Sequence, residues 1–192
     1  MKVNKLKKLI LASGSPRRKE LLSLLNIPFE IVVSDVNEEV ENHLTPVEVV
    51  IELSRRKATE VSKMVEDGVV IGSDTIVVVE GEILNKPLDA VDAKNMLSKL
   101  SNKTHCVYTG VTLIEKETVH SFYEETKVTF WDLTERDIHN YIQTGEPFDK
   151  AGAYGIQGFG ALLVRKVEGE YASVVGLPIA RLNQELKRFT SF

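Results

Sequence analysis

Short apolar runs alternate with helix-like segments in the first half of the chain. The run LILAS (9–13) predicts a buried strand, and Ser15 followed by Pro16 is a typical start of a helix. A second strand is predicted over 29–34, and TPVE (45–48) combines a capping box with a proline to begin a helix that runs to about residue 65. This alternation favours an α/β fold with parallel strands.

The second half of the chain adds a predicted β-hairpin. Two long β-rich runs, HCVYTGVTLIEK and VHSFYEETKVTFWDL, flank a turn at Glu117–Thr118. Helices are predicted to begin at Asp89 and Thr134, and the last strands are predicted over ALLVRKVEG and YASVVG, before a closing helix. A hairpin beside parallel units indicates a mixed sheet. The length of the chain predicts a single domain that covers residues 1–192, or a compact two-lobed one.

Composition excludes several classes of protein. The formal net charge of −4 argues against a general nucleic-acid or membrane-surface binder, so we expect neither partner. A single cysteine, Cys106, excludes an internal disulfide and a cysteine-rich zinc site, and its apolar surroundings predict a buried thiol. No apolar run is long enough to span a membrane, and the apolar run after the basic start MKVNKLKK is too short for a secretion signal. We therefore expect a reducing, cytoplasmic setting.

The first candidate site is SGSPRR (13–18). A glycine-containing turn that leads into a helix N-terminus can bind an anion, and Arg17 and Arg18 add donors for a phosphate. The alternative is a solvated basic first turn. The segment is not a P-loop, since the pattern GxxxxGK[ST] is absent.

Two acidic segments are candidates for metal binding or proton transfer. Asp74, in IGSDTIV, is predicted to lie at a break between two strands, where a carboxylate can hold a divalent cation or take a proton from water. The alternative is a turn aspartate that bonds its own backbone. In SDVNEEVEN, the carboxylates of Asp35, Glu38, Glu39 and Glu41 suggest a Mg²⁺ site near the phosphate. The alternative is a solvated acidic loop.

Lysines and a glycine-rich segment complete the candidates. Lys57, Lys86 and Lys150 stand at boundaries of predicted elements and can neutralise a polyphosphate, although exposed lysines are the common case. The segment DKAGAYGIQGFG (149–160) has four glycines in nine residues and its own aromatic side chains, which favours an ordered functional loop over a flexible one. The four histidines lack metal-ligand spacing and are interpreted as structural.

Five of these motifs occur in the order typical of one family. LASGSPRRKELL, GSDTIV, NKP, DKAGAYGIQGFGALLV and VVGLPI together closely resemble the Maf family of nucleotide pyrophosphatases, from about residue 8 to residue 189. The resemblance implies a two-lobed α/β fold similar to inosine-triphosphate pyrophosphatases, with a central mixed sheet flanked by helices and an inter-lobe cleft.

The resemblance also implies an activity and roles for residues. Members hydrolyse a nucleoside triphosphate to the monophosphate and pyrophosphate with the help of a divalent cation, Mg²⁺ or Mn²⁺. Asp74 matches the proposed proton acceptor and, with Glu38, a metal ligand; the choice of Glu38 over Glu39 depends on alignment across a loop. The positions that match phosphate-binding residues are Ser13, Arg18, Lys57 and Lys86.

Three positions separate the branches of this family. SPRR, DT and IQG place Arg17, Thr75 and Gln157 where the branch that acts on dTTP and UTP has the same residues. A second branch, which prefers 7-methyl-GTP, has tryptophan, DQ and SEG there. The family further suggests a homodimer and a link to septum formation and cell-division arrest, so a non-enzymatic septum-formation inhibitor that acts by protein binding is the alternative function.

Overall fold

The computed structural model describes residues 8–41 and 43–189. Residues 1–7 of the basic start MKVNKLKK, for which a secretion signal is not expected, lie outside the described residues. The strands are β1 (Leu9–Leu11), β2 (Phe29–Ile31), β3 (Val69–Val79), β4 (Glu82–Leu84), β5 (Thr104–Glu115), β6 (Thr118–Phe130) and β7 (Val164–Glu168). The helices are α1 (Pro16–Ser23), α2 (Pro46–Ser62), α3 (Ala90–Leu100), α4 (Glu135–Gln143), α5 (Tyr171–Val175) and α6 (Ile179–Glu185). Short 3-10 helices cover Glu146–Asp149, Ala151–Ala153, Gly158–Leu163 and Leu186–Phe189.

The strands form one mixed sheet in the order β2-β1-β3-β5-β6-β7, with β4 paired to β3. β1 pairs in parallel with both β2 and β3, whereas β4 pairs antiparallel to β3 and β7 antiparallel to β6. The predicted α/β class and mixed sheet are thus confirmed. In the part of the chain that the structure describes, no helix is long and apolar enough to cross a membrane.

The predicted helix starts are confirmed because each has a side chain that accepts hydrogen bonds from the first turn. The Ser15 hydroxyl accepts from the backbone N–H of Arg18, and Asp89 accepts from the amides of residues 91 and 92. Thr45 and Thr134 each form a full capping box, with Glu48 and Asp137 respectively. Local sequence chemistry therefore determines where these helices begin.

The chain divides into two compact units. Unit 1 consists of the described residues up to Asp74, Thr109–Glu124 and the described residues from Gly176 onward; unit 2 consists of Thr75–Tyr108 and Glu125–Val175. Three of their boundaries fall within the long strands β3, β5 and β6, and the fourth follows the last residue of α5.

In unit 1, helices cover both faces of the sheet. Alternate residues of β1 point to opposite faces, so Leu9 and Leu11 pack with α1 and α6, while Ile10 packs with α2. Every β1 side chain is fully buried. A strand buried on both faces reads as a continuous apolar run, which explains why LILAS has no polar alternation.

The prediction of a break near Asp74 is wrong. β3 runs without interruption from Val69 to Val79, and Asp74 lies in the middle of it. The glycine that suggested a turn, Gly72, serves packing instead: a Cβ atom there would lie 2.2 Å from the Ser54 carbonyl oxygen and 2.8 Å from the Ala58 amide nitrogen of α2. Gly72 thus lets the backbone of α2 lie directly against β3.

The prediction of two terminal strands is only partly correct. β7 begins at Val164, since Gly158–Leu163 form a 3-10 helix, and YASVVG contains the short helix α5 rather than a strand. In α5, buried Ser173 hydrogen bonds through its hydroxyl to the Glu170 carbonyl oxygen and to the Thr126 hydroxyl of β6. These contacts outweigh the weak strand preference of a five-residue apolar stretch.

A buried histidine lies in the core of unit 2. The His105 ring is 1% exposed and packs edge-on against Phe130 and Tyr154, and its Nε2 lies 2.7 Å from the Tyr154 hydroxyl oxygen. Its Nδ1 has no hydrogen-bond partner among the described residues. Burial lowers the pKa of His105 to about 4.

This shift predicts a loss of stability in weak acid. Between about pH 6.5 and pH 4 the unfolded chain binds a proton at His105 that the folded protein does not, so stability falls as the pH is lowered, by about 1.4 kcal/mol per pH unit. Urea unfolding at pH 6.5 and pH 5 should show the wild type losing about 2 kcal/mol more than His105→Gln. His139→Gln removes an exposed histidine and should unfold with the wild-type pH dependence. Equal pH slopes for the wild type and His105→Gln would contradict the prediction.

Candidate active site

The Arg18 guanidinium, in the first turn of α1, donates hydrogen bonds to two separate parts of unit 1. Arg18 Nη1 donates to the Ser13 hydroxyl at 3.2 Å, and Arg18 Nε donates to the Gly176 carbonyl oxygen at 2.8 Å. The Ser13 hydroxyl also accepts from the Ser15 backbone N–H at 3.2 Å. Ser13 and Arg18 are therefore brought together, and the guanidinium is fixed across the first turn of α1.

Charges around Arg18 have opposing effects on it. Burial lowers the pKa of the Arg18 guanidinium below its usual value, while the carboxylates of Asp74 and Glu38 raise it and Arg17 lowers it further. An anion that approached this loop would favour the charged guanidinium. The amides of Ser15 and Arg18 already bond to serine hydroxyls, whereas the Arg18 guanidinium adds a positive charge at the start of α1.

A lysine between two carboxylates forms the centre of the site in unit 1. The Lys57 ammonium lies 2.6 Å from Asp74 Oδ1 and 2.6 Å from Glu38 Oε1. Lys57 and Asp74 are each 8% exposed, whereas about half of the Glu38 side chain is accessible. The close approach of α2 to β3 at Gly72 determines this pairing, since it brings the middle of the helix next to Asp74.

The structure distinguishes the two adjacent glutamates. Glu38 contacts Lys57, whereas the Glu39 carboxylate lies 3.4 Å from the Asn37 side-chain amide on the exposed side of the loop. The residue that joins the charged cluster is therefore Glu38. Ser73 extends the cluster, because its buried hydroxyl donates to the Gly176 carbonyl oxygen that also accepts from Arg18.

The two carboxylates of this cluster are the type of ligand that a small divalent cation prefers. Two carboxylate oxygens lie 2.6 Å from the same nitrogen, so they are no farther apart than twice that distance. Mg²⁺ in nucleotide-dependent enzymes is commonly bound by one or two carboxylates together with water and phosphate oxygens. Among the described residues, no group of three or more His, Cys, Asp or Glu side chains could hold a metal ion. A divalent cation in this cluster would therefore depend on Glu38 and Asp74, together with water or phosphate oxygens as further ligands.

Of the other predicted site residues, Arg17 is half-buried in α1 of unit 1, and the rest belong to unit 2. Thr75 follows Asp74 in β3 and is half-buried, Lys86 is exposed between β4 and the buried Pro87, and Gln157 is half-buried at the start of the 3-10 helix Gly158–Leu163. Gly152 donates its backbone N–H to the Asn85 carbonyl oxygen at 3.0 Å, so the glycine-rich segment is joined to the NKP motif.

The glycine-rich segment is ordered, as the sequence predicted. The Glu146 carboxylate accepts from the backbone N–H groups of Phe159 and Gly160, two and three residues after Gln157. On the other side of Gln157, the Tyr141 hydroxyl accepts from the Gly155 N–H at 3.1 Å. These contacts determine the backbone path through Gln157.

Lys150 has a structural role in the same segment. Its ammonium donates to the Glu146 carbonyl oxygen and to the Asp149 carboxylate. Gly152 adopts a φ of +68°, which favours glycine and turns the chain there. Lys150 is therefore half-buried and held by its own segment, rather than being an exposed surface lysine.

Several features of the structure were not predicted from the sequence. Gly176, which binds Arg18, lies in the VVGLPI motif, but nothing local to that motif indicates a partner 158 residues away. Cys106 is half-buried rather than buried, and its thiol lies 3.4 Å from the Glu125 carboxylate. Desolvation and this carboxylate raise the pKa of Cys106, which argues against a reactive thiolate.

Comparison with known proteins identifies the family. The model of the family described as "Maf-like protein" matches residues 8–189. The chain belongs to this family. Its Maf-like relatives include proteins named dTTP/UTP pyrophosphatase. One from Bacillus cytotoxicus is 58% identical over 186 residues, which cover 97% of each chain. One from Bacillus cereus strain ATCC 14579 is 55% identical over 184 residues, which cover 96% of each chain.

Among solved structures, the Staphylococcus aureus Ham1 protein is similar with a TM-score of 0.49. The two sequences are 15% identical, and the match covers 66% of this Maf-like chain and 73% of the other.

Proposed function

We propose that this chain is a nucleoside triphosphate pyrophosphatase that hydrolyses dTTP and UTP, and modified pyrimidine nucleotides, to the monophosphate and pyrophosphate. The names of relatives that are 55–58% identical over nearly the full chain support this substrate class. The observation that carries the proposal is the cluster of Lys57 with Asp74 and Glu38, with Arg18 close enough for its pKa to respond to both carboxylates. Cations and acidic groups together are what hydrolysis of a polyphosphate requires.

The phosphate groups are bound by cationic side chains in this proposal. Arg18 presents a guanidinium fixed by Ser13 and Gly176. The Lys57 ammonium has three N–H donors, of which two are directed to the carboxylates, so the third can reach a phosphate oxygen. Lys86 is exposed and adds a further cation. These contacts stabilise the negative charge that develops on the leaving pyrophosphate.

Asp74 acts as the general base. Its carboxylate takes a proton from the water that attacks the α-phosphorus, and the bond between the α-phosphorus and the bridging oxygen breaks to release pyrophosphate. Lys57 holds one oxygen of Asp74 and thereby orients the carboxylate. Glu38 and Asp74 would hold the divalent cation, Mg²⁺ or Mn²⁺, which when bound supplies positive charge to the phosphate oxygens.

Base selectivity is assigned to Arg17, Thr75 and Gln157. We expect Gln157→Glu and Arg17→Trp each to shift the ratio of kcat/KM between pyrimidine nucleotides and 7-methyl-GTP by about tenfold or more, since base-edge hydrogen bonds discriminate strongly. Initial rates with dTTP, UTP and 7-methyl-GTP measure the shift. Lys19→Gln, an exposed change in the same helix, is the control that should leave the ratio unchanged. Ratios equal to wild type in both site variants would refute the assignment.

A pyrophosphate-release assay with a panel of nucleotides, with and without Mg²⁺ or Mn²⁺, tests the proposed function. The expected result is release from dTTP and UTP that depends on the cation. The proposed function would be contradicted if no nucleotide of the panel released pyrophosphate while circular dichroism showed the protein to be folded.

Two further proposals concern the setting of the enzyme. The family resemblance supports a homodimer, which size-exclusion chromatography with light scattering would test. A nucleotide substrate and a half-buried free thiol are consistent with a cytoplasmic enzyme. That residues 1–192 act as a single domain remains a prediction.

A further inference from the structure

Arg56, the residue before Lys57 in α2, contacts the loop that carries Glu38. Its Nη1 donates to the carbonyl oxygens of Asn37 at 3.1 Å and Glu39 at 2.7 Å, the residues on either side of Glu38. Its Nε donates to Glu52, one turn earlier in the helix, at 2.8 Å. The guanidinium is thus held on α2 and bridges the backbone around Glu38.

A second contact from α2 holds the start of the same loop. The Glu60 carboxylate accepts from the Asp35 backbone N–H at 2.7 Å. Beside these contacts runs an open groove of about 680 Å³, lined by residues of the loop and of α2 that include Val36, Asn37 and Thr59. Hydrogen bonds from α2 are therefore direct contacts between the helix and the backbone of this loop.

Consecutive residues of α2 therefore act on one carboxylate in two ways. Lys57 binds the Glu38 side chain, and Arg56 binds the backbone that presents it. A carboxylate on a mobile loop would spend only part of its time near Asp74, which weakens any ligand that needs both groups.

We propose that Arg56 is a positioning residue that holds Glu38 in the charged cluster and thereby sets the affinity of that cluster for a divalent cation. The part of this proposal that concerns a divalent cation rests on the proposed function, whereas the part that concerns the ordering of the loop does not. Residues that orient metal ligands through a hydrogen bond typically change metal affinity or activity by about 10–100-fold when they are replaced.

The test compares Arg56→Met with Arg55→Met in the full chain. Both remove one arginine from adjacent positions of α2, but Arg55 is exposed and the contacts to the Asn37 and Glu39 carbonyl oxygens come from Arg56. Hydrogen–deuterium exchange is measured without nucleotide or metal. The backbone amides of residues 35–41 should exchange about tenfold faster in Arg56→Met than in the wild type or in Arg55→Met. Arg56→Lys, which keeps a cationic donor, should restore much of the protection. If Arg56→Met does not fold, Arg56→Gln replaces it.

The second part of the proposal is the affinity of the cluster for a divalent cation. It is measured as Mn²⁺ binding, with electron paramagnetic resonance used to detect the free ion. Arg56→Met should bind Mn²⁺ about tenfold more weakly than Arg55→Met, and its half-saturating Mn²⁺ concentration in turnover should rise with little change in kcat at saturation. Unchanged exchange, or faster exchange with unchanged Mn²⁺ affinity, would overturn the proposal. If even the wild type releases no pyrophosphate, the proposed function fails, while exchange and Mn²⁺ binding still decide the role of Arg56.

Discussion

Asp74→Asn is expected to lower the rate of pyrophosphate release from dTTP by about 10³-fold while the protein stays folded. Asparagine keeps the shape of the side chain and can still accept a hydrogen bond from Lys57, but it cannot take a proton from water at neutral pH. Removal of a general base costs about 10²–10⁴-fold, and the loss of one cation ligand adds to this. The measurement is steady-state turnover at saturating Mn²⁺, with thermal unfolding to confirm the fold.

The control for this variant is Asp67→Asn. Asp67 is exposed just before β3, so the same chemical change there should leave turnover near the wild-type rate. Turnover by Asp74→Asn within tenfold of wild type would remove Asp74 from the role of base.

Lys57→Met is expected to reduce both activity and stability. The ammonium is the partner of a carboxylate that is only 11% exposed, and removing one member of a buried ion pair costs about 3–5 kcal/mol, because the other is left unpaired. Glu38 is half exposed and contributes little to this cost. We therefore expect a loss of about 3 kcal/mol in urea unfolding, and turnover reduced by at least about 10²-fold through the lost contact to phosphate.

A double variant separates the ion pair from simple loss of packing. In Lys57→Met/Asp74→Asn no buried charge is left unpaired, so the double variant should be more stable than Lys57→Met alone. Lys63→Met, an exposed change just after α2, should have wild-type stability. A double variant at least as unstable as the sum of the two single variants would show that the pair does not determine the stability of this region.

The sequence predicted best those features that depend on near neighbours. Ser15, Thr45, Asp89 and Thr134 begin helices because each side chain bonds amides two or three residues away, and such short-range chemistry is visible in the sequence. α5 was missed for the opposite reason. Its helix depends on Ser173 contacting Thr126, 47 residues earlier, and no local pattern reports such a contact.

For the site, residue types were predicted but their arrangement was not. Arg18, Lys57, Glu38 and Asp74 were candidates from the sequence and its family resemblance, and the structure brings all four into one charged cluster in unit 1. What the sequence could not provide was the reason for their proximity. The sequence around Gly72 predicted a turn, whereas in the structure the lack of a side chain at Gly72 lets the backbone of α2 lie against β3.

The hydrogen bond from Arg18 to Gly176 has a consequence for the synthesis of the chain. Arg18 leaves the ribosome early, yet the carbonyl oxygen that orients it is made 158 residues later. Because the ribosome adds about 5–20 residues per second, roughly 10–30 s pass between the synthesis of Arg18 and that of Gly176. A chain that stops short of Gly176 therefore contains every cation and carboxylate of the cluster but lacks the carbonyl oxygen that binds Nε of its arginine. Nascent and C-terminally truncated chains are expected to bind triphosphates poorly.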